Sequence, residues 1–538
     1  LKYVAGDAFD FTGDEKLKER YQKYCEQLEK WCCDSECPED VKSIYQYIKK
    51  KTLLHDLIEK NIVVHEEGKL KWNAGTQNKP NDVLSTFVRF CVIHDGDYTA
   101  CNDNATIINA YIDYDRKAHQ QYGVCIATGE NSLITYKHSA GIRYPGDTAK
   151  LISGGKEENI ALGYEISQKA HSALRWLARN QGFKTGEQTV VVWSVGTKQV
   201  PSPLEDTYGI FADLSIIHNS YTPMDVYAKN LKKAVLGYRK SDLTGPLDQN
   251  KIIVMILEAA TPGRLSIEYY KEFMDIDYLD NIEYWHRTCV WNHSYKLEQN
   301  TLDQEDGREK KESRRIKFTG APSVNDIIEA AYGRNVDEKL KKHLIELLVA
   351  CVVDRKNIPY DIVMKAVQRL SNPSAMKNWE HEKYLSITCA LIKKYYYDRY
   401  KEDYDMAVNY ENRDRSYLFG RVLAYAERIE KYVQFKQGGE NRVPNAYKLR
   451  SKFHVQPART LEILDDKLQP YVEKLHTIDG GKHYWMYLSM QSVISMIDEN
   501  DYRNNKPLNP TYLLGYACQM TDLYAKREEN EETENKIN

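Results

Sequence analysis

Cys125 heads the run Cys-Ile-Ala-Thr-Gly-Glu, and His138 follows it by thirteen residues. A cysteine nucleophile requires a base within hydrogen-bond reach and a third group to orient that base. Cys125 lies inside an apolar run, where a thiol is expected to be buried and unreactive. A strand entering a tight turn accounts for these residues without chemistry. The turn also fails as a phosphate cradle, because a P-loop closes on Gly-Lys-Ser/Thr at a helix start. Thr128-Gly129-Glu130 closes on a carboxylate instead. The acid pairs Asp113/Asp115, Asp275/Asp277 and Asp465/Asp466 stand apart from one another, whereas a two-metal nuclease gathers several acids around one pair of ions. Cys25, Cys32, Cys33 and Cys37 have neither a matching second pair nor a nearby histidine, so they are expected to be helix-face residues rather than zinc ligands. No catalytic residue, metal or cofactor is expected.

The residues that do suggest a ligand are cations. The net charge of −3 gives no global field for an anionic partner, so local patches must carry the argument. Lys137, His138, Arg143, Lys150, Lys156, Lys169, Arg175 and Arg179 lie in a stretch, 131–184, with eight Lys/Arg against four acids. Tyr164 and Trp176 interleave flat rings. A second stretch, Arg421 to Arg459, has nine Lys/Arg against three acids. It includes Lys436, Arg442, Lys448, Arg450, Lys452 and Arg459 around the loop-like QGGENRVPNAY, with Tyr432, Phe435, Tyr447 and Phe453 between them. Cations among aromatic rings suit a phosphate backbone and stacked bases. The alternatives are a solvated charged face for the first stretch and a subunit interface for the second.

The elements that must position these residues follow from pattern. At 538 residues the chain is too long for one compact core. Between Val83 and Val92 apolar residues alternate as in a strand, and VCIAT reads as another. SQKAHSALRWLARN, 167–180, is an amphipathic helix ending before Gly182. TVVVWSV and KIIVMILEA are apolar runs of buried-strand length. Residues 304–317 hold ten charges in fourteen without apolar period and read as an exposed linker. Beyond it helical pattern dominates, with helices expected near 337–353, 359–370, 379–399, 415–435, 458–475, 482–498 and 509–527. The fold class is α+β: a mixed α/β amino-terminal part followed by an all-α carboxy-terminal bundle. The divisions expected are 1–303, a linker at 304–320, a helical connector at 321–405, a bundle at 406–527 and a disordered acidic tail at 528–538. No apolar run is long enough to span a bilayer. Leu1 in place of methionine predicts a further natural amino-terminal segment, with no secretory leader, and the eleven cysteines fit a reducing cytoplasm.

Several pieces in fixed order carry a resemblance: YGVCIATGE, the VVVWS strand, GRLSIEYYKEFMDIDYLDNIEYWHRTCVW, APSVNDIIEAAYG, SYLFGRVLAYAE and YLLGYACQMTDLY. Together they resemble the large signature subunit of the type I-C CRISPR interference complex, Cascade. The resemblance implies a cytoplasmic prokaryotic recognition subunit without catalysis. Its partners would be guide RNA with its 5′ handle, double-stranded target DNA with a PAM, the handle-binding and backbone subunits, and a separately translated small subunit. A nuclease–helicase would be recruited transiently. The resemblance also implies an internal start, for which Met406 is the candidate. Base pairing would read sequence while the protein holds backbones and reads the PAM. Trp285, His286 and Trp291 are then core or interface residues. The rival readings are a metal-dependent nuclease of a defence system and a helical protein-binding adaptor with no nucleic-acid role.

Overall fold

A computed structural model describes residues 1–66, 69–73, 82–94, 97–118, 122–153, 161–196, 199–213, 219–239, 251–261, 263–302, 309–372, 376–438, 442–478 and 484–537. The chain forms two compact units: Leu1–Ser139 with Ser153–His171, and Ala140–Ile152 with Ser172–Asn538. The helix Tyr164–Asn180 therefore supplies residues to both.

The first unit joins helices to small antiparallel sheets. One core gathers Leu1, Ala5, Ala8, Leu17, Leu54, Val63 and Val83, and a second gathers Trp31, Cys37, Val41 and Ile107. The Asp7 carboxylate is buried and accepts the amides of Leu54 and His55 at 2.8 and 2.9 Å. It thus satisfies free N–H groups at the start of the helix Leu53–Glu59. The strand expected across 83–92 is shorter than its alternation suggested. Val83–Ser85 is a 3-10 turn and only Cys91–His94 pairs, with Asp97–Ala100. VCIAT likewise yields a strand only at Tyr122–Val124. The Gly129 amide then bonds the Cys125 carbonyl at 2.8 Å and closes a turn, with Gly129 at φ +72°.

In the second unit an antiparallel sheet runs Arg264–Met274, Lys251–Thr261, Gln188–Ser194, Phe183–Thr185. Its middle strands read as unbroken apolar runs because both faces are covered. Val190, Val254 and Ile256 enter one core, while Val191, Met255 and Leu257 enter another with Ile142 and Ala178. The first of these cores continues without interruption to Leu523. It joins sheet, hairpin and helices, so the divisions expected at 303, 320 and 405 do not part the fold. The expected linker is mostly strand: Glu309–Gly320 pairs in register with Trp291–Leu302, and 303–308 lie outside the described residues. Its charges hid the strand because they alternate with Ile316 and Phe318, which are buried.

Helices follow at Val324–Tyr332, Glu338–Val353, Tyr360–Leu370, Asn378–Tyr400, Arg415–Lys436, Asn445–Val455, Pro457–Ile478, Tyr484–Ser495, Glu499–Tyr502 and Thr511–Ile537. The fold is α+β, with the helices concentrated toward the carboxy-terminal side, as expected. The stretch expected to be loop-like becomes helix from Asn445, and the tail expected to be disordered continues the last helix to Ile537. Its glutamates are good helix formers. Helices Arg415–Lys436 and Thr511–Ile537 cross backbone to backbone. A methyl added at Gly420 would overlap the Tyr512 carbonyl, and one at Gly515 the Tyr417 carbonyl. Trp285 and His286 are core residues. The His286 ring meets Thr207 Oγ1 at 2.8 Å, and burial pushes its pKa down to about 3.

Candidate nucleic-acid interface

The turn at Cys125 holds a thiol, and His138 turns away to another partner. Cys125 is buried, as expected, yet its pKa is lowered to about 7, against the direction burial alone would give. The Gly163 amide, which donates to Sγ at 3.2 Å, is the main cause, with the Thr128 hydroxyl and the amides of Ala127 and Thr128 adding to it. Three amides aimed at one sulfur favour the thiolate. His138 is buried and turns to Ser167, with Nδ1 2.9 Å from Oγ. Its ring stacks on that of His171 at 5.8 Å, and His171 Nδ1 donates to the Ser167 carbonyl at 2.7 Å. Among the described residues no three His, Cys, Asp or Glu side chains gather as metal ligands would.

The first cationic stretch is split by the fold. Lys137, His138 and Lys169 belong to the first unit, and Arg143, Lys150, Arg175 and Arg179 to the second. Lys156 lies outside the described residues. Lys137 is exposed, and Lys169 is exposed but paired with Glu165 at 2.7 Å. Arg143 is a correction. It is 3% exposed and grips Asp147 with two bonds of 2.9 Å, and Glu187 with a third of 2.7 Å. Bidentate ion pairing fixes the loop 141–149 and leaves this guanidinium unable to reach a phosphate. Lys150 is half-buried, and its backbone bridges to the strand Arg264–Met274 through Gly263 and Leu265. Arg175 and Arg179 donate to the carbonyls of Ala140 and Gly141 at 3.2 and 2.9 Å. Gly141 holds φ +74° there, a conformation glycine adopts without strain. Between these arginines Trp176 is 60% exposed. His138, being buried, is likewise no surface contact.

The second stretch lies wholly in the second unit and sorts into an inside and an outside. Arg450 is fully buried on the inner face of the helix Asn445–Val455. It pairs with Glu427 at 2.8 Å, and its Nη1 lies 2.6 Å from His381 Nε2. Burial, and then the Arg450 charge, push the His381 pKa down to about 3, so the ring is neutral and accepts this bond. Tyr516 and Lys431 also reach Glu427, at 3.0 and 2.8 Å. Arg421 and Arg428 are buried as well. Much of the local positive excess is therefore internal structure, and Arg450 as a nucleic-acid contact is the second correction.

What remains outside is a narrower set. Lys448, Ser451, Lys452 and Val455 recur at i, i+3, i+4 and i+7 and are all exposed, as is the solvent face of an amphipathic helix. Arg442, Lys436 and Arg459 are exposed too. Among the described residues no ion pair engages Arg442, Lys448 or Lys452. Phe435, Val443 and Val455 show roughly half their surface beside these charges in sequence. The reading by local charge excess passed over Lys229, Lys232 and Lys233 on the helix Met224–Arg239, although with Arg239 they stand against a single acid, Asp225. Their i, i+3, i+4 spacing was the available signal. No described helix is long and apolar enough to cross a membrane.

No curated protein matches the sequence. Residues 1–524 match the family described as CRISPR-associated protein (Cas_Csd1), and the chain belongs to that family.

Proposed function

We propose that this Cascade-type protein is the non-catalytic large subunit of a type I-C RNA-guided surveillance complex. In this reading it recognises the PAM on double-stranded DNA, retains the displaced strand and offers the docking surface for a separate nuclease–helicase. The observation that carries the reading is the pair Lys448 and Lys452, exposed one turn apart on one helix face and in no ion pair among the described residues, with Arg442 and Phe435 exposed in the segment before that helix. Such a surface meets a phosphate backbone without reading its sequence. Guide RNA, the handle-binding and backbone subunits, and a small subunit started at Met406 are its proposed partners. A product started there would carry both glycine-crossed helices and the whole exposed row.

The test is a band-shift with the chain co-expressed with its operon partners and a guide RNA. Two duplexes differ only in the bases beside the protospacer. Binding that depends on that flank, with cleavage only after a nuclease–helicase is added, is the expected result. Cleavage by the complex alone would overturn the non-enzyme assignment.

A further inference from the structure

A second cationic surface lies in the second unit, in elements the charge count did not single out. The helix Met224–Arg239 buries Tyr227, Leu231, Ala234, Val235 and Tyr238 along one side. Its other side carries Lys229, Lys232 and Lys233, all exposed. Residues at this spacing stand about 5–6 Å apart at Cβ. Among the described residues no ion pair or hydrogen bond engages them. Lysines on other helices differ: Lys18, Lys23, Lys42 and Lys169 each hold a glutamate one turn away. Here three like charges stand together, and Asp225, exposed one turn before Lys229, forms no ion pair with it among the described residues.

The hairpin repeats the pattern on its outward face. Lys296 sits directly opposite Arg315, and Lys317 follows two residues on, where Ser294 faces it. Alternation puts these side chains on the face away from buried Ile316 and Phe318. Like charges opposite one another destabilise a sheet. Glu382 pairs with Arg315 at 2.6 Å, and among the described residues no ion pair engages Lys296 or Lys317. The hairpin and the helix are stitched together at their junction. The Lys317 amide donates to Asn219 Oδ1 at 2.8 Å, and the Thr222 amide to Thr319 Oγ1 at 2.9 Å, just before the helix begins. At this junction Tyr221 is 43% exposed and its ring lies 5.6 Å from the Lys317 ammonium.

We infer that the lysine side of the helix Met224–Arg239 and the outward face of the hairpin form one binding surface for a phosphodiester backbone. The inference rests on the nucleic-acid reading above and adds a contact separate from the helix Asn445–Val455. A row of unpaired ammonium groups neutralises successive phosphates and releases their counterions. The exposed tyrosine between the two cation sets offers a base its flat face. The ligand chemistry is common to duplex DNA, a displaced single strand and guide RNA.

The experiment uses the full chain and fluorescein-labelled duplex DNA, single-stranded DNA and an RNA stem-loop, with binding followed by anisotropy across a sodium chloride series. The variants are Lys229→Glu/Lys232→Glu/Lys233→Glu and Lys296→Glu/Lys317→Glu, with Lys18→Glu/Lys23→Glu/Lys42→Glu as a control that reverses as many charges as the larger of them elsewhere. Both test variants are expected to lose about tenfold or more in affinity in the same arm. The first should also flatten the salt dependence by about 2–3 in log–log slope. Melting by circular dichroism should not fall, since the substituted side chains are exposed and Lys296→Glu sets a carboxylate opposite Arg315. The arm with the greatest loss identifies the strand. Unaltered affinity in every arm, or a loss equalled by the control, would overturn the inference while the proposed function stands. Loss in only one test variant would overturn the joined surface. If the unmodified chain binds nothing in any arm, the nucleic-acid reading falls with it.

Discussion

Arg450 and Lys452 stand two residues apart on one short helix, and the fold gives them opposite roles. Arg450 is enclosed by Glu427, His381, Tyr447 and Tyr516, and its charge belongs to the core. Lys452 faces solvent with Lys448 and has no counter-charge among the described residues. A buried ion pair must be matched by good geometry because desolvation opposes it. An exposed cation is nearly free of that demand and stays available to a partner. Local charge excess therefore overstates a binding surface whenever a helix sends some of its cations inward.

The comparison is broken most forcefully from the inside. Glu427→Ala leaves Arg450 buried beside a neutral histidine, and should destabilise the second unit by about 3–5 kcal/mol. Thermal and urea unfolding will measure it, and a loss below about 1 kcal/mol would mean that Arg450 finds water instead. A gentler probe of the same pair is acid. Burial raises the Glu427 carboxyl, but the Arg450 and Lys431 charges hold it on balance below the ordinary value of 4.5. A carboxyl lowered by folding stabilises the native state above its unfolded value, and that contribution is lost as pH falls through the folded value. Stability should thus decline from about pH 4.5 downward. A Glu427→Gln/Arg450→Met variant should show a shallower decline over the same range. Parallel curves would remove the pair from the acid response.

The outside is expected to respond in binding and not in stability. Arg442→Glu/Lys448→Glu/Lys452→Glu should leave the melting temperature within about a degree, because exposed unpaired charges contribute little. It should shorten the lifetime of the displaced strand in an R-loop about tenfold, a change of about 1.4 kcal/mol, and reduce the salt slope by about 2 for single-stranded DNA. An unchanged R-loop lifetime would show that this row is not a strand path. Adding Arg450→Glu to the set would confuse the result, since that change attacks the core.

The legible parts of the sequence were those where local pattern and final environment agree. Helices such as Glu338–Val353, Tyr360–Leu370 and Arg415–Lys436 announced themselves through apolar period and polar starts. Asp337 and Asp414 do cap the first and last of them. The two apolar runs became sheet-centre strands for the same reason. What was hidden depends on distant partners. The hairpin read as a linker because only every second residue near its base is buried, against a core assembled from remote helices. Arg450 read as a contact because Glu427 and His381 lie 23 and 69 residues away. Arg143 could have been suspected, since Asp147 follows it by four residues, but Glu187 could not. Of the cations expected at the interface, Lys169 is held by nearby Glu165 and Arg175 and Arg179 by backbone carbonyls, whereas no ion pair engages Arg442, Lys448 or Lys452 among the described residues.

The glycine crossing also sets a schedule for synthesis. Gly420 and Gly515 fit each other so closely that no other residue can take either place without moving backbone. Yet the ribosome makes the second of them 95 residues after the first. At about 5–20 residues per second that is an interval on the order of 5–20 seconds. During it the helix Arg415–Lys436, buried on nearly every side in the folded protein, lacks the neighbour that fills its glycine groove. Nascent chains of this protein should therefore be most vulnerable to chaperone capture and proteolysis in that window, which closes when the helix carrying Gly515 arrives.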